Sequence, residues 1–100
     1  MEIIICMFAA IYHWKIHEGM EADFVQNWNK GTSFIRDTYG SSGAALHKAA
    51  DGTYWSYARW PNKAAWQKMM DDINKPFANG SFAELIGEKV LLDVVSDLLK

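Results

Sequence analysis

The sequence predicts an α+β fold in which the elements run β-α-β-β-α-β around one antiparallel sheet, and three stretches predict it. The opening run is apolar on both alternating faces. An Asp-Gly pair at 51–52 joins two strand-like runs, AALHKAA and TYWSYARW, in the manner of a hairpin. Two stretches with helical spacing of apolar residues, one after the first strand and one after the third, complete the pattern.

The first strand covers about residues 3 to 16. Ile3, Ile5, Met7, Ala9 and Ile11 alternate with Ile4, Cys6, Phe8, Ala10 and Tyr12. A strand apolar on both faces belongs in the middle of a sheet covered on both sides. HEGMEAD breaks the run, and a helix is expected from about Glu21 to Tyr39. Met20, Phe24, Trp28, Gly31, Ile35 and Tyr39 fall on one stripe, and acidic Glu21 and Asp23 suit the positive end of the helix. Gly31 in mid-stripe lets the helix lie close to the sheet or leaves space beside it.

GSSG (40–43) closes that helix and opens the second strand. In the third strand, Tyr54, Ser56, Ala58 and Trp60 share one face, while Trp55, Tyr57 and Arg59 share the other. Pro61 ends the strand, and Asn62 is a good cap for the helix KAAWQKMMDDI. Trp66 then falls at the fourth helical position, within reach of residues just before the cap, so Trp60 and Trp66 are expected near one end of the sheet. Residues 77–86 are expected to add a short turn of helix, and EKVLLDVVSDLL is rich enough in β-branched residues to form the last strand. The order is that of a ferredoxin-like fold. Both helices then lie on one face, and the face bearing Trp55, Tyr57 and Arg59 needs a cover from a second subunit.

Length and composition narrow the function classes. One hundred residues suit one domain, 1–100, with a single core. A net charge of −2, without a basic stripe on any expected face, argues against a nucleic-acid partner. The opening run is too short for a bilayer, and Glu2 stands where a secretion signal needs positive charge, so no membrane partner and a cytoplasmic location are expected. The one cysteine, Cys6, sits in an apolar strand and reads as a buried, unreactive thiol. Five tryptophans in a chain this short need a core or a ligand to cover them.

The stretch GSSGAALHKAADGTYWSYARWPNKAAW resembles the antibiotic biosynthesis monooxygenase family of dimeric α+β barrels. The shared features are a Gly-rich turn, a strand, a D-G hairpin and a Y-A-x-W-P-x-x-x-A-W corner. IYHWKIHEGMEADFVQNW resembles that family's first strand, Gly-containing loop and helix with a Phe-x-x-x-Trp pair. The resemblance spans roughly residues 8 to 72. It implies a homodimer and a pocket between sheet and helices that takes a polycyclic phenol, anthrone or quinol. It also implies a reaction with dioxygen that uses no cofactor, because the deprotonated substrate is itself the electron donor.

The resemblance places Trp60 on the family's strand tryptophan, Trp66 on a tyrosine of the second helix and Ser56 on an asparagine; these are the expected catalytic positions. Tyr12, Trp28, Met70 and His47 are the expected substrate-binding residues. Trp66 and Ser56 depart from the pattern, and a tryptophan can donate a hydrogen bond but cannot shuttle a proton. The alternative is a non-catalytic binding or structural dimer of the same fold. A haem-degrading branch of the family carries asparagine where Tyr12 stands and a ligating histidine where Met70 stands; only its tryptophan is kept, which disfavours haem. His13 and His17 lie on a strand about 13 Å apart and do not read as a metal pair. On residues alone, the Trp60–Trp66 corner is compatible with plain core as well as with a pocket wall.

Overall fold

A computed structural model describes residues 7–73 and 82–96. Seven elements follow in order: β1 Met7–Ile16, α1 Glu21–Tyr39, β2 Gly43–Lys48, β3 Tyr54–Trp60, α2 Lys63–Asp72, β4 Ala83–Leu85 and β5 Val90–Val94. The sheet is antiparallel, with β1 at its centre between β3 and the pair β4 and β5, and β2 outside β3. This is the expected ferredoxin-like α+β arrangement.

Register explains the layering. Phe8, Ala10, Tyr12 and Trp14 of β1 pair with Trp60, Ala58, Ser56 and Tyr54 of β3. All of these face the helices and form the core with Phe24, Trp28 and Ile35 of α1 and Trp66 and Met69 of α2. Trp14, Phe24 and Tyr54 interlock as tilted and edge-on rings at 5.5 and 5.8 Å between centroids. The opposite face of β1 is only partly covered within the chain: Met7, Ile11 and His13 are half-buried.

Local chemistry sets the element ends. Asn62 Oδ1 accepts from the Ala65 amide at 2.8 Å and starts α2. Gly40 adopts the left-handed conformation that ends α1, and its N–H reaches Arg36 O. In the hairpin, Asp51 Oδ1 accepts from both the Thr53 amide and the Thr53 hydroxyl at 2.9 and 2.6 Å, and Gly52 takes a φ of 89°. Glu21 at the head of α1 is held by the Tyr54 hydroxyl at 2.6 Å and by Lys48 at 2.8 Å, which ties that helix end to β3 and β2. At the far end of α1, the Tyr39 hydroxyl donates to Asp72 of α2 at 3.1 Å. Asp72 is thus an inter-helix tie as well as a solvated helix end.

Two expectations change, and at Gly31 one of two alternatives is selected. Within the stretch 77–86, where a turn of helix was expected, residues Ala83–Leu85 form strand β4. The cause is β1, whose ten residues outrun β5: β5 pairs only with Met7–Ile11. The exposed backbone at Trp14–Ile16 is satisfied by β4, with His17 N–H to Phe82 O and Ile86 N–H to His13 O closing its ends. Gly31 leaves space rather than a close approach, since a Cβ there would meet nothing within 4 Å. Met20 lies on the exposed side at the start of α1 instead of in its buried stripe. The expectations for Ile3–Cys6, including the buried thiol, and for residues 77–81 and 97–99 fall outside the described residues.

Candidate functional site

Small side chains on the helix-facing side of the sheet create a hollow. Ala58 and Ala44 lie side by side across β3 and β2 and line it, and Ala10 of β1 continues the row beyond its walls. Larger groups flank this row, with Phe8 and Trp60 on one side and Tyr12 and Leu46 on the other. Trp28 and Ile35 of α1 and Met69 of α2 roof the space. The result is a cavity of about 20 Å³ whose walls include Tyr12, Trp28, Thr32, Ser41, Ser56 and Trp60. That volume holds one water-sized body. A fused-ring ligand therefore requires its roof to move.

The polar groups are held in a definite order. Trp14 Nε1 donates to Ser56 Oγ at 3.2 Å, and Trp66 Nε1 donates to the Tyr12 hydroxyl at 3.2 Å. Since an indole can only donate, both hydroxyl oxygens are fixed as acceptors toward it. Tyr12 directs its own O–H toward Met70 Sδ at 3.9 Å. Ser56 keeps its proton to give elsewhere. Burial pushes the Tyr12 phenol above its ordinary pKa, and the Trp66 hydrogen bond offsets this only in part. Tyr12 is accordingly a neutral phenol at pH 7. Among the described residues, no carboxylate, histidine or lysine is a wall of the cavity, and the walls they do supply are hydroxyl dipoles and aromatic faces.

The expected site residues separate into three groups. Tyr12, Trp28, Ser56 and Trp60 line the cavity together. Trp66 and Met70 stand one layer back, both meeting the Tyr12 hydroxyl. The Trp66 ring lies against Phe8 at 5.5 Å, with the Lys89 ammonium 6.0 Å above it, so it supports the wall and does not form it. His47 is the correction. Ala44 and Leu46 point to the core side of β2, and the two-residue period turns His47 to the opposite face, where it is exposed. It cannot reach the cavity.

Thr32, Ile35, Ser41, Ala44 and Ala58 are walls that sequence reasoning did not single out, whereas Met69, next to Met70 on α2, reads from sequence as either a pocket wall or plain core and is a wall. Ile35 lay on the α1 stripe, Thr32 stands one turn after Trp28, and Ala44 and Ala58 are matched small residues on neighbouring strands. Ser41 gave no signal beyond its place in GSSG. A separate polar chain lies on the open face. The Thr53 hydroxyl donates to Asp51 and so accepts from His13 Nε2 at 2.9 Å, while the His13 ring stacks on Trp55 at 3.7 Å. His13 is thereby committed to the hairpin, and no cluster of three metal-ligating side chains occurs among the described residues.

With this geometry in hand, the fold defines a class: the chain has the α+β fold of antibiotic-biosynthesis-monooxygenase-like proteins. One solved structure with it is SnoaB from Streptomyces nogalater, a cofactor-independent oxygenase. SnoaB matches with a TM-score of 0.77 at 17% identity, over 95% of this chain and 99% of that one. A protein from Chloroflexus aurantiacus assigned as an antibiotic biosynthesis monooxygenase matches at 0.68 and 11% identity, covering 91% and 95% of the two chains. A protein of unknown function from Nitrosomonas europaea matches at 0.69 and 13% identity, covering 96% of each chain. No family sequence model matches, and no curated protein matches by sequence. No described helix is long and apolar enough to cross a membrane.

Proposed function

We propose that this protein is a cofactor-independent monooxygenase of a small aromatic metabolite, a polycyclic phenol, anthrone or quinol. The observation that carries the reading is the alanine-floored cavity, walled by Trp60, Trp28 and Tyr12, with the Ser56 proton unclaimed. Flat walls orient a ring, and a hydroxyl whose oxygen already accepts from an indole is a polarised donor toward an oxyanion. The fold shared with SnoaB supports the same reading.

For an anthrone, the substrate loses one proton to give a carbanion-enolate, whose oxygen takes the donated hydrogen bond. The carbanion reduces dioxygen and forms a carbon–oxygen bond. Loss of water then leaves a quinone carbonyl, so that one oxygen atom enters the product and the other leaves as water. With no base among the described walls, this reading passes the proton to solvent and takes a substrate acidic enough to ionise near neutral pH.

The protein is proposed to work as a homodimer. Ile11, Trp55 and Tyr57 face the same open side as Val90 and Leu92 of β5, which pair with Ile11 and Ala9. Trp55, Val90 and Leu92 are 38%, 44% and 43% exposed. Burying this face against its copy removes an apolar patch from water.

Oxygen uptake with a dihydroxyanthrone or a naphthoquinol tests the reaction. One dioxygen is expected per substrate, without hydrogen peroxide, and with a rate that rises as the substrate ionises. The water-sized cavity, with no base among its described walls, favours one alternative, a binding protein of the same fold that carries out no reaction. Tight binding without oxygen uptake would select that alternative.

A further inference from the structure

Two hollows share one wall. Outside the buried cavity, between α1 and β2, lies a cleft of about 200 Å³ bordered by Asn29, Ser33, Arg36 and Gly43. Trp28, Thr32 and Ala44 border both the cleft and the cavity. These three side chains form a wall common to the cavity and the cleft.

Thr32 is the unusual member. Its Oγ1 is shut away from solvent and has no hydrogen-bond partner among the described residues. A threonine inside a helix ordinarily turns its hydroxyl to water or to the carbonyl one turn back; here it does neither. Buried polar groups are paired as a rule, so an orphan beside a cavity points to a partner that comes from outside the chain. The neighbouring hydroxyls are already half-committed. Ser41 Oγ accepts from the Gly43 N–H at 3.2 Å and Ser56 Oγ from Trp14, which leaves each a proton to give. Thr32 alone retains both its proton and its lone pairs.

We propose that Thr32 is the specificity-determining residue of this site: it hydrogen-bonds one oxygen of an aromatic ligand that enters through the cleft between α1 and β2. The inference rests on the aromatic-ligand reading above and adds which end of the ligand is read. A hydroxyl can donate to a carbonyl or phenolate and accept from a phenol, so Thr32 accommodates either form of the substrate. Arg36, paired on its own helix with Asp37 at 3.4 Å, borders the outer end of the cleft.

Equilibrium dialysis with 1-naphthol and with naphthalene, on the wild type, Thr32→Val and Thr32→Ser, tests the proposal. Thr32→Val keeps the shape and removes the hydroxyl. It is expected to weaken 1-naphthol about tenfold while leaving naphthalene within about twofold, and Thr32→Ser is expected to retain 1-naphthol binding. Removal of an orphan hydroxyl should leave the melting temperature of the unliganded protein equal or higher. A Thr32→Val protein that binds 1-naphthol as the wild type does overturns the role of Thr32 and leaves the aromatic site standing. Equal loss of both probes together with a lowered melting temperature also overturns it, by making Thr32 structural. A wild type that takes up neither probe at millimolar concentration overturns both the role and the site.

Discussion

At the scale of single residues, the site depends on which oxygen accepts and which donates. Two indoles, Trp14 and Trp66, settle this for Ser56 and Tyr12, because an indole nitrogen has no lone pair to offer. Tyr12 also links the site to stability. Burial raises its folded pKa above the value of 10.0 for a free phenol, with the Trp66 hydrogen bond acting in the other direction. A raised folded pKa means that its contribution is complete below about pH 10. The contribution is lost as pH rises through the folded value, where the unfolded chain has already released the proton. Denaturation midpoints measured from pH 8 to 11 should therefore fall more steeply for the wild type than for Tyr12→Phe. Parallel curves would show that the phenol ionises alike in the two states. Tyr54 and Tyr39 are raised as well, Tyr54 chiefly by its hydrogen bond to Glu21, which is why the comparison with Tyr12→Phe is needed.

At the scale of elements, α1 and α2 roof one sheet, and their positions fix the cavity. The first turn of α2 is anchored by Asn62, whose side chain takes the Ala65 amide. That turn sets where Trp66 stands and hence how the Tyr12 hydroxyl is held. Asn62→Ala is expected to cost about 1 kcal/mol in urea denaturation, with Asn62→Asp or Asn62→Ser recovering most of it. A cost near zero would mean that the packing of Trp66 and Met69, both buried, holds the helix without its cap. Strand β4 shows a different kind of dependence. Its three residues have little strand character alone, and they are strand because β1 offers unpaired backbone at Trp14–Ile16.

At the scale of the molecule, the helix-covered face is a finished core, and the other face is not. Side chains of β1, β3 and β5 present an apolar surface there, with Trp55 stacked on His13 and Arg59 reaching Met7 Sδ at 3.9 Å. Light scattering at micromolar concentration should give twice the chain mass of 11.4 kDa. Trp55→Glu with Tyr57→Glu should give monomers by placing charge in the middle of the patch. A folded wild-type monomer would rule out the pairing of sheets.

Local sequence pattern was enough for the order of every element but β4, for the faces of β1 and β3 and for the limits of both helices. Those features rest on near-neighbour rules: alternation along a strand, 3.6-residue spacing along a helix, a capping asparagine, an Asp-Gly turn. It also brought Tyr12, Ser56, Trp60 and Trp28 to one side of the sheet, since faces follow from periodicity. What only the tertiary structure decided was depth and pairing. Trp66 stands behind Tyr12 because the position of α2 over the sheet is not encoded by any local pattern, whereas His47 is on the far face by strand alternation with Ala44 and Leu46. Ala44 and Ala58 became a cavity floor through the register of β2 with β3, and residues 83–85 became strand through a neighbour's unmet hydrogen bonds. Thr32 drew no notice in the sequence because an orphan hydroxyl is a property of what fails to surround it. Only packing in three dimensions creates or removes such partners.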